Sequence, residues 1–348
     1  MTDQVTDQRM DGLTGNRNPR PIVPSVTSNN SQDNNSNVLS ETIPEFPRGL
    51  ITICGATATG KSRLGIAVAH ELGSVIISAD SRQIYREFDI GSAKVTTAEM
   101  AGVPHYLVDA YDPTETVSAA MFQDRANQIL SQITLPSALP LLVGGTGLYL
   151  RAITHGMQIP RVVQHRELRS QLEALGQSFC YQLLQHLDPN ACLKIHANDR
   201  IRTVRALEVF YVTGIPMSAQ QGEIRPNYPI LQIGLRSECL NDRIIQRTRQ
   251  MFERGFVNEV QNLVAKYGDN LPLLNTLGYQ EVRQYLRGEI SLEESELLIV
   301  MHTRQFAKRQ RTWFNGIKEI EWFDADDANL FDRVLRRVTE FCKTQVIQ

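Results

Sequence analysis

Residues 55–62 form a glycine-bounded segment that ends in lysine and serine. The spacing is that of a phosphate-binding loop, G-x-x-x-x-G-K-S. Glycine lets the backbone wrap around an anion, and the start of a following helix adds partial positive charge. Lys61 supplies a full charge and the Ser62 hydroxyl suits Mg²⁺, so the segment predicts binding of two linked phosphates without deciding whether they belong to a nucleotide. The predicted phosphate-binding residues are Gly55, Ala56, Thr57, Ala58, Thr59, Gly60, Lys61 and Ser62.

Two other short segments place polar residues directly after apolar runs. Asp80 follows the apolar stretch 75–78, and a carboxylate facing a phosphate loop either helps to hold Mg²⁺ or acts as a general base. An aspartate in a turn or at a helix N-terminus explains the same position without chemistry. Thr146 lies in the Gly-Gly-Thr-Gly segment 144–147 after the stretch 139–143, where glycine permits close approach of a ligand. Taken alone, that segment is better explained as a tight turn.

Arginine is dense in the second half of the chain, with nine arginines and five acidic residues between positions 200 and 254. Arg243 and Arg247 are four residues apart, which places them on one face of a predicted helix. The guanidinium fork binds phosphate oxygens in pairs, so either side chain is a candidate phosphate ligand, whereas most of the other arginines are typical of a solvated surface. The apolar face of the same predicted helix comprises Ile245, Phe252, Phe256, Val260 and Leu263.

A capping box formed by Ser291 and Glu294 predicts the start of a long helix near the C-terminus. Residues 302–318 contain five basic and no acidic residues. Cations beside the aromatic pair Trp313 and Phe314 suit an RNA backbone with unstacked bases, but an exposed helix with a core-facing tryptophan explains the pattern equally well. Three of the cations fall on one helix face: Arg304, Lys308 and Arg311.

The elements that must position these residues alternate between short apolar strands and helices. Apolar strands between helices predict a parallel sheet with helices on both faces. Ligands of such sheets bind beyond the carboxyl ends of the strands. The phosphate loop, Asp80 and Thr146 all follow strand ends, so we expect them to meet at one site. The predicted strands are 50–54, 75–78, 139–143 and 231–235, and the first helix is 61–72.

The predicted fold class is therefore α/β, with a P-loop NTPase-like parallel sheet flanked by helices and a helical insertion domain. The segment 157–224 contains no convincing strand, and its spaced leucines predict helices. We assign it to the insertion, between the two core segments 48–156 and 225–348. Residues 1–47 are rich in Asn, Ser, Thr and Asp and cannot bury enough apolar surface to fold, so we expect a disordered tail.

Composition excludes several classes of protein. The 348 residues are 42% hydrophobic and 21% charged, as in ordinary globular proteins, and no apolar run predicts a membrane span. The five cysteines form no C-x-x-C pair, so neither a disulfide framework nor a zinc site is expected. The net charge of −2 divides into −3 over residues 1–47 and +1 over the rest, which is compatible with a local basic patch for nucleic acid. Without a signal-peptide pattern, we expect a cytoplasmic protein with no membrane contact.

Eight segments, in the same order, resemble motifs of the tRNA dimethylallyltransferase family. The phosphate loop is similar to that family's GPTASGK[ST], and residues 142–149 read LVGGTGLY as the family does. The resemblance runs from about residue 50 to 323, but Asn315 stands where the family often has arginine. The other matching segments are 80–94, 104–109, 117–122, 195–214, 277–280 and 303–314.

The resemblance implies transfer of a dimethylallyl group from dimethylallyl diphosphate to N6 of adenosine 37, in tRNAs that read codons beginning with U. It implies Mg²⁺ as cofactor, with Ser62 as a ligand, to stabilise the departing diphosphate. Asp80 would act as the base toward the N6 amine, and Arg243 or Arg247 would grip the prenyl diphosphate. The residues implied to act in catalysis are Asp80, Lys61, Thr57, Arg243 and Arg247.

The resemblance also implies contact with the anticodon stem–loop of tRNA by a monomeric enzyme. Thr146 would lie beside the target nucleotide, which must be turned out of its stack to be reached. The insertion and the basic C-terminal helix would hold the stem–loop. The implied tRNA-contacting residues are Asp80, Ser81, Arg82, Gln83, Thr146, Ile201, Arg202, Thr203, Val204, Arg205, Thr276, Leu277, Gly278, Tyr279, Gln280, Lys308, Arg309, Gln310, Arg311, Thr312, Trp313 and Phe314.

Other functions fit part of the pattern. A P-loop small-molecule kinase would need an adenine pocket and a lid with paired arginines, and it leaves the basic segment 302–318 unexplained. A free-adenylate isopentenyltransferase shares the chemistry but needs neither the insertion nor the basic helix. An RNA-binding protein with a relic phosphate loop has no reason to keep Lys61, Ser62 and Asp80 together.

Overall fold

The computed structural model of the chain describes residues 48–133 and 138–346. The predicted tail, 1–47, therefore lies outside the described residues. The strands are β1 (Leu50–Gly55), β2 (Ile76–Ser78), β3 (His105–Tyr106), β4 (Leu141–Gly144), β5 (Met157–Gln158), β6 (Gly222–Glu223), β7 (Ile230–Arg236) and β8 (Ile320–Asp324). The helices are α1 (Lys61–Leu72), α2 (Thr97–Met100), α3 (Ala119–Gln132), α4 (Gly147–Thr154), α5 (Arg166–Leu175), α6 (Gln177–Leu187), α7 (Pro189–Cys192), α8 (Arg200–Thr213), α9 (Met217–Gln220), α10 (Leu240–Glu253), α11 (Phe256–Tyr267), α12 (Tyr279–Leu286), α13 (Leu292–Asn315) and α14 (Leu330–Val346), with a 3-10 turn at Pro272–Asn275.

The main sheet has six parallel strands in the order β3-β2-β4-β1-β7-β8. All four predicted strands are present, so the predicted α/β fold with a parallel sheet is confirmed. The prediction missed the two edge strands. β3 has only two residues, and β8 reads Ile-Glu-Trp-Phe-Asp, so neither shows the continuous apolar run of a central strand.

Side chains of the central strands alternate between two cores, one on each face of the sheet. In β1, Leu50 and Cys54 point to one core while Ile51 and Ile53 point to the other. Helices α3, α4 and α11–α13 cover the first face, and α1 and α14 cover the second. Both faces of β1 are therefore buried, and the loop at its carboxyl end is attached to a rigid strand.

The segment 157–224 has a core of its own, built from α5–α9 around side chains such as Leu172, Leu184 and Leu207. Its ends meet, because β5 pairs antiparallel with β6 and sets Met157 opposite Glu223. The expectation of no strand in this segment is wrong for these two pairs of residues, which are too short to show a strand period. The division into an insertion and a core stays a prediction.

The single helix predicted to carry Arg243, Arg247 and the apolar face as far as Leu263 is wrong. The chain breaks between α10 and α11 at Gly255, whose φ of 92° lies in the left-handed region. Glycine adopts that conformation without a Cβ penalty, so it ends one helix and starts another. Phe256, Val260 and Leu263 therefore belong to α11, which packs on α12, and α10 alone carries the two arginines.

Helix α13 begins as the capping box predicts. The Ser291 side chain accepts from the Glu294 N–H, and the Glu294 carboxylate accepts from the Ser291 N–H. Its 24 residues reach back to the loops at the carboxyl ends of β1 and β4. Within residues 48–133 and 138–346, none of the helices combines the length and apolar character needed to cross a membrane.

Candidate active site

The phosphate loop connects β1 to α1, and its glycines are required by its close packing. At Gly55 a Cβ would lie 2.7 Å from the carbonyl oxygen of Leu235 in the neighbouring β7. Gly60, immediately before α1, has a φ of 86°, in the left-handed region. Inside the loop, the buried Thr59 hydroxyl donates to the Ala56 carbonyl at 2.8 Å. These contacts fix the path of the loop between β1 and α1.

Lys61 opens α1 and is half-buried at the mouth of the loop. Its Nζ donates to the Ala56 carbonyl at 2.7 Å. Burial and the nearby charge of Arg247 lower the pKa of Lys61 to about 8, although the charge of Asp80 acts in the opposite direction. Among the described side chains, no carboxylate is within ion-pair distance of Lys61 or Arg247. The loop therefore carries two crowded cations, an arrangement that an anion would stabilise.

The structure brings both arginines to the phosphate loop, where Arg243 Nη1 would lie 3.8 Å from a Cβ at Gly60, but among the described residues it leaves only Arg247 without a carboxylate partner. Arg247 Nη1 donates to Thr57 Oγ1 at 3.0 Å, and burial lowers the pKa of its guanidinium. Arg243 Nη2 instead lies 2.6 Å from Asp326 Oδ1 and 3.0 Å from the Ala325 carbonyl. The sequence left the choice between the two arginines open, because the acidic loop after β8 is distant in the chain.

Asp80 stabilises a turn by hydrogen bonds and also lines the cavity. Its Oδ1 accepts the N–H groups of Arg82 at 2.8 Å and Gln83 at 3.3 Å. These bonds are the structural role that the sequence left open for an aspartate at this position. The residue also lines the cavity that contains Lys61, so the same bonds orient its carboxylate there.

The loops after β2 and β4 touch directly. The Ser81 N–H donates to Thr146 Oγ1 at 3.0 Å. At Gly144 a Cβ would lie 2.1 Å from the carbonyl oxygen of Ala79, so only glycine permits this approach. The prediction that the phosphate loop, Asp80 and Thr146 meet at one site is confirmed, because all three line the same cavity.

That cavity has a volume of about 440 Å³ and lies beyond the carboxyl ends of β1, β2 and β4. Its walls also come from α10, α13 and the turn before α12, which the chain brings from far downstream. The predicted site residues that line it are Thr57, Lys61, Ser62, Asp80, Ser81, Arg82, Gln83, Thr146, Arg247, Thr276, Leu277, Arg309 and Gln310.

Sequence reasoning missed the apolar part of the cavity wall. Its side chains come mainly from α10 and α13: Ile244, Met251, Ile299 and Phe306. On α10, Ile244, Thr248 and Met251 are spaced four and three residues apart, so they share a helix face next to Arg247. That spacing was available in the sequence. Nothing in the sequence indicated that this face turns toward the phosphate loop.

The predicted tRNA contacts in the insertion separate into outward and inward side chains. Ile201 is 82% exposed and Arg202 is also exposed, at the start of α8. Thr203 and Val204 are buried in the core of the insertion. Arg205 Nη2 donates to the Val162 carbonyl at 2.8 Å. The inward side chains support the helix that presents the outward ones, and their contact with tRNA stays a prediction.

Arg205 also belongs to a buried ion cluster around Glu208. Arg205 Nη1 lies 2.5 Å from Glu208 Oε2, and Arg169 binds both carboxylate oxygens at 2.7 and 2.8 Å. The His165 N–H adds a fourth donor at 2.7 Å. Burial by itself raises the pKa of Glu208, but the bonds from Arg169, His165 and Arg205 outweigh it and lower the pKa to about 2.

On α13 the predicted contacts also divide by face. The exposed members are Lys308, Arg309, Arg311, Thr312 and Trp313. The Trp313 ring lies against Gly147, where a Cβ would be 2.3 Å from ring atoms, while Phe314 is buried in the core. At the start of α12, Gly278 is buried just before the helix, Tyr279 is buried and donates to Glu259 Oε1 at 2.8 Å, and Gln280 is exposed.

A parallel sheet with a phosphate loop after its central strand β1, and a cavity beyond the carboxyl ends of its strands, defines the class of P-loop α/β proteins. Comparison with known proteins narrows the class. The family model described as IPP transferase matches residues 83–317. The chain is 61% identical to a tRNA dimethylallyltransferase of Trichormus variabilis, over 84% of this chain and 99% of the relative.

Solved structures agree with this result. The tRNA isopentenylpyrophosphate transferase of Bacillus halodurans is 36% identical, with a TM-score of 0.63 over 86% of this chain and 97% of that chain. A eukaryotic dimethylallyltransferase described as acting on tRNA is 26% identical, with a TM-score of 0.71 over 85% and 80% of the two chains. The chain therefore belongs to the IPP transferase family, and the resemblance drawn from the ordered motifs is confirmed.

Proposed function

We propose that this protein transfers the dimethylallyl group of dimethylallyl diphosphate to N6 of adenosine 37, in tRNAs that read codons beginning with U. The observation that carries the proposal is the single cavity shared by the phosphate loop, Asp80 and the basic helix α13. An anion site, a carboxylate and an RNA-facing surface are the three parts that the reaction needs. Family membership supports the same chemistry.

The phosphate loop would hold the diphosphate as leaving group. Inward N–H groups and the N-terminus of α1 bind phosphate oxygens, and Lys61 and Arg247 supply two full charges. Because both cations are crowded in the absence of an anion, they gain most as negative charge builds on the departing oxygen. The apolar wall that includes Met251 and Phe306 suits a five-carbon hydrocarbon tail.

Asp80 would act on the acceptor. The adenine N6 lone pair forms the new C–N bond to C1 of the dimethylallyl group, and the C1–O bond breaks with its electron pair leaving on the diphosphate. The Asp80 carboxylate takes the proton that N6 loses. Its orientation is fixed by the N–H groups of Arg82 and Gln83, so the base is in place before the substrate binds. Thr146 accepts a hydrogen bond from the N–H of Ser81, the residue that follows Asp80.

The site residues fit Mg²⁺ delivered with the diphosphate. In the part of the chain that the structure describes, no group of three or more His, Cys, Asp or Glu side chains could hold a metal. Mg²⁺ in phosphate sites usually needs only one or two protein oxygens, with phosphate and water completing its shell. Ser62 lines the cavity and would supply one such oxygen. When bound, the ion neutralises charge on the leaving diphosphate.

Action as a monomer stays part of the proposal, as the family resemblance implies. The proposed tRNA substrate supports a cytoplasmic location. The position of α13 disfavours a kinase that acts on a small molecule. The basic face of α13 lies next to the proposed donor site, and a small phosphate acceptor would not need such a surface.

The test uses labelled dimethylallyl diphosphate, Mg²⁺ and a tRNA that carries adenosines at positions 36 and 37 of its anticodon loop. We expect label on N6 of adenosine 37, and no turnover when ATP replaces the prenyl donor. ATP turnover without prenyl transfer would overturn the proposal. Asp80→Asn should bind the tRNA normally and lose most of kcat, about 100-fold or more. An unchanged rate would remove Asp80 from the role of base.

A further inference from the structure

Gln310 has a position unlike its neighbours on α13. Arg309 and Arg311 on either side are exposed, but Gln310 is buried, with 8% of its surface accessible. Its Oε1 accepts the Thr57 N–H at 2.8 Å, and its Nε2 donates to the Gly145 carbonyl at 2.8 Å. One amide therefore joins the loop after β1 to the loop after β4.

The two partners require the two different ends of the amide. The Thr57 N–H can only donate and the Gly145 carbonyl can only accept, so no other polar side chain of this length satisfies both. A Cβ at Gly145 would lie 2.6 Å from Gln310 Nε2, so glycine there allows the approach. Thr57 is held from its other side by Arg247. Together, the hydrogen bonds with Gln310 and Arg247 fix the position of Thr57 in the phosphate loop.

We propose that Gln310 is a positioning residue that joins the RNA-facing helix to the diphosphate loop. The inference rests on the proposed function, which places tRNA on the exposed face of α13 and diphosphate in the loop. When RNA phosphates bind Arg309 and Arg311, they bind the residues on both sides of Gln310. The Gln310 amide links this turn of α13 directly to the Thr57 N–H and so to the donor site. Each ligand then favours the conformation that the other requires.

The test compares Gln310→Met, which keeps the length of the side chain and loses both bonds, with Gln305→Met, an exposed position on the same helix. Affinities for inorganic diphosphate and for an anticodon stem–loop are each measured with and without the other ligand. In the unaltered protein we expect the stem–loop to strengthen diphosphate binding about fivefold or more. Gln310→Met should reduce that factor below about twofold and lower kcat about 10- to 100-fold, with stem–loop affinity nearly unchanged. Gln305→Met should change neither quantity.

Three results would overturn the inference. The first is unchanged coupling and kcat in Gln310→Met. The second is a loss of stem–loop affinity that matches the loss of kcat, which would make Gln310 a direct RNA contact. The third comes from the unaltered protein and holds even if the variant does not fold: hydrogen exchange at the Thr57 amide that the stem–loop does not slow. Failure of both ligands to bind the unaltered protein would instead refute the proposed function.

Discussion

Arginines in the core and arginines in the insertion stand in opposite electrostatic situations. In the insertion, Arg169 and Arg205 share the buried carboxylate of Glu208, whose pKa they lower to about 2 against the effect of burial. In the core, Arg247 is aimed at the phosphate loop beside Lys61, and the pKa values of both are lowered by burial. The insertion neutralises its inward charges, whereas the core leaves its cations crowded.

The presence or absence of a carboxylate partner distinguishes cations with a structural role from cations that are available to a ligand. A cation paired with its own buried carboxylate is neutralised within the fold, so removing either partner is costly and the pair has little charge left to offer a ligand. A partly buried cation without a carboxylate partner is stabilised by an anionic substrate. The family resemblance implies substrate contact for both Arg205 and Arg247. Of the two, only Arg247 is a cation without a carboxylate partner in the described part of the chain.

The largest expected effect comes from Arg247→Met. Removing the charge should lower kcat/KM about 1000-fold, since a charged donor aimed at developing charge is lost. The unfolding temperature should stay the same or rise, because a crowded cation has been removed. Kinetics with dimethylallyl diphosphate and thermal unfolding measure the two quantities. Arg205→Met is the contrasting variant, with a lower unfolding temperature; equal behaviour of the two variants would break the comparison.

The next effect concerns Glu208. Glu208→Gln should lower the free energy of unfolding by about 3 kcal/mol, since two partly buried arginines lose their shared carboxylate. Glu173→Gln is the control, because its pair with Arg200 is exposed on both sides and is worth about 0–1 kcal/mol. Denaturant unfolding measures both. A loss for Glu208→Gln no larger than the control would show that the cluster is dispensable for stability.

The smallest expected effect is a dependence of diphosphate affinity on pH, which tests the charge of Lys61 in the core. Since the pKa of Lys61 is lowered to about 8, the lysine loses its charge as pH rises through that value. Affinity for inorganic diphosphate should then fall, approaching about tenfold per pH unit for one proton. In the unfolded chain, Lys61 keeps its proton up to its ordinary pKa. The free energy of unfolding should therefore rise with pH between the folded-state pKa and the ordinary one. Lys61→Arg, which stays charged, should remove the fall except for the titration of diphosphate itself.

The sequence predicted the central strands, the first helix and the start of α13 because these elements are specified locally. Continuous apolar runs define buried parallel strands, and a capping box defines the helix start at Ser291. The helix break at Gly255 and the edge strand β8 were missed. A single glycine only weakens a helical pattern, and an edge strand needs no continuous apolar run.

The sequence by itself determined the chemistry that the protein carries: a phosphate loop, a carboxylate after β2 and a basic helix, each recognisable from local spacing. The tertiary structure decided which of the candidate groups share a cavity. It bonded Arg247 to Thr57 and paired Arg243 with Asp326, turned Arg205 into the insertion and buried Gln310 between two loops. The physical reason is that a side chain's charge and hydrogen bonds depend on partners up to 253 residues away, as between Thr57 and Gln310, and no local pattern records them.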